Sequence, residues 1–160
     1  MYYAYEQLKK ERQNLSEANL CHTEKLDKLF FRLANFSRPQ SVVMSIAQNY
    51  MTQHYVKAGC NKSEIYGYDN LEDLGSTLSS LATVGILFLS SDIDALSAFE
   101  IALPKLQDGS IVIVEGIRHN RQGWKQLLNN KNATLTFDLY EIGIILMRQD
   151  FNKQHYIVNF

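Results

Sequence analysis

Cysteine is scarce, with two in 160 residues, and Cys21 and Cys60 lie far apart without metal-ligand spacing or a second pair. A disulfide framework is therefore excluded, and two free thiols in a reducing compartment are expected. Neither sign of charge is in excess, the formal net charge being -1. Binding to nucleic acid or an anionic membrane needs clustered lysine and arginine. Here Lys9-Lys10-Glu11-Arg12 is mixed in sign and Arg118-His119-Asn120-Arg121 is short. No apolar run approaches the ~20 residues of a membrane span, and Met1 to Glu6 does not read as a signal peptide. A cytoplasmic protein with neither membrane nor nucleic-acid partner is expected. No pair of histidines has the spacing of a metal site. Gly67, Gly116 and Gly143 stand singly in or beside apolar runs, a pattern of close backbone approach or a bulge and not of a phosphate-cradling loop.

What is present is a core. At 46% hydrophobic and 21% charged, the chain reads as one globular domain over residues 1–160, with residues 1–22 forming a helix and linker packed on it or on a partner. Its centre is the stretch from Gly85 to Arg118. Gly85 to Ser90 and Ser110 to Gly116 are apolar without alternation, as strands buried on both faces are. Between them Ala95, Phe99, Ala102 and Leu106 recur at helical spacing, with Ser91 or Asp92 placed to cap the first turn. Strand, helix and strand of this length make a right-handed crossover, so the two strands are parallel neighbours. Ligands of such sheets sit beyond the carboxyl ends of the strands. The places to look for function are then Ser90 to Asp94 and Glu115 to Asn120.

The remaining elements follow from periodicity. Residues 2–14 form a charged amphipathic helix. Thr23 caps a second helix with Leu26, Leu29, Phe30 and Leu33 on one stripe, broken at Phe36 to Gln40 by the approach to Pro39. Ser41 to Ile46 is the first buried strand, Ala47 to Ala58 a helix, Glu64 to Tyr68 the second strand, and Leu71 to Leu81 a helix over the sheet. A short helix spans Gln122 to Leu128. Ala133 to Leu139, Ile142 to Met147 and His155 to Phe160 are strands, and their short connections predict an antiparallel meander.

Several of these stretches resemble the class I S-adenosylmethionine-dependent methyltransferases, in particular a bacterial branch of that superfamily. The similarity is carried by Tyr2 to Glu6, Leu29 to Pro39, Leu103 to Val114, Thr136 to Ile144 and Lys153 to Phe160. It implies a Rossmann-like three-layer αβα sandwich whose mostly parallel sheet ends in an antiparallel C-terminal hairpin. Two departures from the family pattern stand out. Where the family places an acidic residue and a glycine-rich turn after the first strand, this chain has Ser45-Ile46-Ala47-Gln48-Asn49-Tyr50-Met51, with neither glycine nor carboxylate. About one strand and one helix are also missing between that turn and Leu71.

The resemblance sorts the polar residues. Asp69 stands where the family has an acid for the ribose hydroxyls or one near the adenine, although Asp69 or Asn70 can equally cap the next helix. Asp92, with Asp94, replaces the acidic loop after the fourth family strand, and also reads as an N-cap. Glu115 and His119 follow the fifth and are the remaining candidates for chemistry; one carboxylate and one imidazole do not define a reaction. His22, His54 and His155 carry no such signal. The expected function is that of a non-catalytic relative that binds no cofactor and acts through protein contacts, as a homodimer or as the partner of an active methyltransferase. The N-terminal helix and the terminal strand offer the surfaces. The alternative is an active methyltransferase, holding S-adenosylmethionine in an altered pocket made by Gln48, Asp69, Asp92 and Glu115 and acting on a small molecule or a protein.

Overall fold

The computed structural model describes residues 2–16, 20–45 and 49–160. Gln48, and with it most of the turn after the first strand, lies outside them. Among the described residues the helices and strands run in the order α1 (Tyr2–Gln13), α2 (Glu24–Ser37), β1 (Ser41–Ser45), α3 (Tyr50–Gly59), β2 (Glu64–Tyr68), α4 (Leu71–Ser79), β3 (Val84–Leu89), α5 (Ala95–Ala102), β4 (Leu106–Glu115), α6 (Arg121–Asn129), β5 (Leu135–Asp138), β6 (Ile142–Leu146) and β7 (Gln154–Ile157). The strands form one sheet in the order β2-β1-β3-β4-β6-β5-β7. β2, β1, β3 and β4 are mutually parallel, and β6 is antiparallel to both β4 and β5. On the β1 side only β2 remains, in keeping with the missing strand and helix.

Unalternating strands imply cover on both faces, and two cores provide it. Val43, Leu87, Leu89, Val112 and Val114 face Leu74, Leu78, Phe99 and Trp124. Val42, Met44, Ile86, Phe88, Ile111 and Ile113 face Leu26, Phe30 and Val56. At ~25 cal/mol per Å² of buried apolar surface, this two-sided burial is the main stabilising term. Helices α2 and α3 thus cover one face, α4, α5 and α6 the other. A third cluster of Leu8, Phe31, Met51 and Tyr55 seats α1 on the domain.

Three local expectations are corrected. The helix after β3 starts at Ala95 and is capped by Asp94, whose side chain accepts from the Ser97 amide, so neither Ser91 nor Asp92 caps it. Leu106 belongs to β4 and not to that helix, because Leu103–Lys105 closes it with a 3-10 turn containing Pro104. The chain end is not a simple meander, since β7 pairs with β5 in parallel. β7 does run opposite to β6, as a short connection requires. Both edges of β6 are taken by β4 and β5, however, and the chain must step over β5 to find a free edge.

Candidate functional site

The chain leaves β1 outward through α3 to β2, then returns through α4, on the opposite face, to β3. The carboxyl ends of β1 and β3 therefore flank the topological switch point, where open α/β sheets bind ligands. The two strands part there. Their ladder runs through Val43↔Leu87 and no further, although β1 stays paired with β2 as far as Ser45↔Tyr68. The gap holds the phenol of Tyr68. Its hydroxyl donates to the Phe88 carbonyl and accepts from the Ser90 amide, each at 2.8 Å, replacing the strand partner that β3 has lost. Tyr68 is 1% exposed, and burial pushes its phenol well above the ordinary value, so the proton that it donates stays in place.

Beside this wedge, Asn49 occupies the N-cap position of α3 but makes no side-chain capping bond. Its amide is used elsewhere, donating to the Ser45 carbonyl at 3.1 Å and to Glu115 Oε1 at 3.2 Å. Its Oδ1 lies 3.1 Å from His22 Nε2, which is itself 3.8 Å from Glu115 Oε1. Burial alone lowers the affinity of His22 for a proton. The Glu115 carboxylate, the charge of Asp27 and the bond to Asn49 outweigh that, and the net shift is upward. Asp27 in turn accepts from Arg12 and, at 2.6 Å, from Thr52, and Arg12 also donates to the His22 carbonyl. Arginine, aspartate, histidine and glutamate from α1, α2, the segment before α2 and β4 thus form one nearly buried network.

The network opens onto a cavity of about 410 Å³ bordered by Cys21, His22, Glu115, Arg118, His119 and Glu141, among others. Gly116, at φ 67°, turns the chain sharply after β4, and its bare Cα permits Ser91 to approach: a Cβ there would stand 2.9 Å from that of Ser91. Arg118 is held at the rim by Glu141 at 2.9 Å and by the ring of Tyr140, 5.5 Å from its guanidinium. Burial, with the charges of Glu115 and Asp27 adding to it, raises the pKa of Cys21, which keeps its thiol protonated and a poor nucleophile.

The structure thus brings Glu115 and His119 to one cavity. It does not bring Asp69 or Asp92 there: both are exposed and neither borders the cavity, the Asp69 amide donates to the Asp73 carboxylate, and Asn70 is the N-cap of α4. Sequence reasoning missed Tyr68, Asn49 and His22. The signal for Asn49 was its place at a helix start; none marked the other two. Among the described residues no group of three His, Cys, Asp or Glu could hold a metal ion, and no helix is long and apolar enough to cross a membrane.

No protein-family model matches the chain, and no curated protein matches it. Solved structures do. A methyltransferase from Geobacter sulfurreducens is 14% identical with a TM-score of 0.57, over 92% of this chain and 88% of that one. The O-methyltransferase from Bacillus cereus, in complex with SAH, is 11% identical with a TM-score of 0.58, over 89% of each chain. The SAH-bound methyltransferase of Podospora anserina is 11% identical with a TM-score of 0.63, over 92% of this chain and 87% of that one. At such identities the likeness speaks for the fold, and it agrees with the strand order: the chain has the fold of the class I S-adenosylmethionine-dependent methyltransferases.

Proposed function

We propose that this is a methyltransferase-like protein that does not transfer methyl groups and works through protein contacts, as a homodimer or as the partner of an active methyltransferase. The observation that carries the reading is Tyr68. Its buried ring and doubly bonded hydroxyl stand in the crevice between β1 and β3, where a nucleoside cofactor needs open backbone. The residues described there speak against S-adenosylmethionine: Asp69 and Asp92 are exposed and do not border the cavity, and Asn49 is committed to Ser45, Glu115 and His22. A contact role is supported by β7. The Gln154 amide donates to the Thr134 carbonyl just before β5 and that of Val158 to Asp138 at its end, so the backbone of His155 and Ile157 faces outward along the sheet edge. Around it Phe151, Tyr156, Ile157, Val158 and Phe160 are all exposed.

The second reading, an active methyltransferase with an altered pocket, is favoured by the SAH bound in two of the structural neighbours. One experiment separates the two. A ligand at ~100 times its dissociation constant adds about 2.7 kcal/mol of stability, so a thermal shift with millimolar S-adenosylmethionine or S-adenosylhomocysteine supports the enzyme reading, and an unmoved melting temperature supports ours. The contact role is tested by light scattering and pull-down from the protein's own cell extract. Association that Ile157→Lys abolishes is expected, and a monomer that retrieves nothing overturns it.

A further inference from the structure

Every residue of β7 is exposed, whereas β1, β3 and β6 are buried over most of their length. Its inner side is paired with β5, and the amides and carbonyls of His155 and Ile157 face outward. Such an edge is ordinarily blunted by a charge, a proline or a covering group. That is so at the other margin of the sheet, where the Gly67 carbonyl of β2 accepts from the Thr77 hydroxyl at 3.2 Å and Glu64 places a charge on the strand. From Gln154 to Phe160 the sequence has neither a charge nor a proline. Lys153, just before β7, turns back to the Asn130 carbonyl at 2.7 Å, and Lys25 lies over the Phe160 ring at the far end.

We propose that β7 pairs antiparallel with β7 of a second copy of this chain, about a two-fold axis at Ile157. The inference rests on the contact reading above and commits it to a homodimer. A two-fold interface brings each residue near its own mate, so a charged strand repels itself and an uncharged one does not. The register follows from the residues that face outward, since these form the hydrogen-bonded pairs of an antiparallel ladder. Centred on Ile157, the pairing sets Ile157 against its mate, His155 against Asn159 of the second copy, and Tyr156 against Val158, an aromatic on a β-branched residue. An axis at Tyr156 or His155 would instead set Ile157 against His155 or Lys153. At roughly 200 Å² for a whole aromatic side chain and slightly less for an aliphatic one, the exposed parts of Tyr156, Ile157, Val158 and Phe160 leave about 400 Å² of apolar surface bare. A standard dimer buries about 800 Å² per partner, a little over half of it apolar, which this surface comes close to supplying.

The test is analytical ultracentrifugation of the unaltered protein, together with cross-linking through single cysteines placed in a Cys21→Ser, Cys60→Ser background. A reversible dimer is expected. Ile157→Cys should give a disulfide-linked dimer on exposure to oxygen, because opposed hydrogen-bonded residues stand ~5.5 Å apart at Cα, within disulfide range. His155→Cys should not, its mate lying four residues along the pair, ~13 Å away. Ile157→Lys sets two ammonium groups on the axis and should raise the dissociation constant about 10-fold or more. Ile157 is 79% exposed, so circular dichroism should show the fold of these variants intact. A monomer at high micromolar concentration overturns the proposal. So does a dimer that cross-links as readily at 155 as at 157, or one unmoved by Ile157→Lys. The contact reading survives each of those results if the protein retrieves a methyltransferase from its own cell extract. A saturable S-adenosylmethionine isotherm overturns the non-catalytic reading alone and leaves a dimer of this register standing.

Discussion

Arg12 of α1 and Asp27 of α2 meet at 2.5 Å, and the Asp27 side chain is 1% exposed. With Thr52 of α3 on the other carboxylate oxygen, this pair ties three helices together and anchors the segment that carries His22.

Removing one member of a buried pair leaves a charge without compensation, at a cost of about 3–5 kcal/mol. Arg12→Ala should lower stability by that order in urea denaturation. Burial already raises the Asp27 pKa above its ordinary 3.8, against the bonds from Thr52 and Arg12. Losing Arg12 raises it further, and a carboxyl with a raised folded-state pKa takes up a proton on folding as pH falls. The defect of Arg12→Ala should therefore narrow on acidification, which denaturation curves at two pH values will show.

His22 gives a slope of the same sign in a higher pH range. Its pKa lies above 6.5: burial pulls it down, but Glu115 on β4, Asp27 on α2 and Asn49 before α3 together lift it further, and Arg12 contacts only its carbonyl. The stability it contributes is complete below pH 6.5 and is lost as pH rises through the folded-state value. Between pH ~6 and ~8 the protein should lose more stability than His22→Gln does. NMR titration of the imidazole should place its midpoint lower in Glu115→Gln, and an unmoved midpoint would remove Glu115 as the cause.

Gly143 lies under Trp124, so closely that a Cβ at position 143 would stand 2.4 Å from the indole. Gly143→Ala forces β6 and α6 apart at a cost of about 1–3 kcal/mol. Trp124 is the chain's single tryptophan and is 2% exposed, so fluorescence reads the displacement directly: a red-shifted emission is expected, with a lower melting temperature.

Much of the scaffold was legible. Strands β3 and β4 declare themselves because a strand covered on both faces has no polar positions, and Thr23 and Asn70 cap helices whose stripes are plain. Isolated Gly116 and Gly143 rightly signalled close approach. The parallel pairing of β7 was hidden because adjacency in sequence favours a hairpin, and only the full sheet shows that β6 has no free edge. Glu115 and His119 share a cavity because one turn joins them. His22 meets Glu115, and Tyr68 meets Phe88 and Ser90, only through the three-dimensional course of the chain. Tyr68 in particular reaches β3 because β1 parts from it, which no local pattern encodes.

The hydroxyl of Tyr68 accounts for one donor and one acceptor at the end of β3. Tyr68→Phe strands both beneath an otherwise unchanged ring and should cost about 1–3 kcal/mol, measured by chemical denaturation. A variant as stable as the parent would mean that the crevice admits water, and with it a ligand.

Isothermal calorimetry of the unaltered protein with S-adenosylmethionine and with S-adenosylhomocysteine probes that crevice most directly. Occupation by Tyr68 predicts no saturable heat for either compound at millimolar concentration, whereas a saturable isotherm for one of them would contradict it.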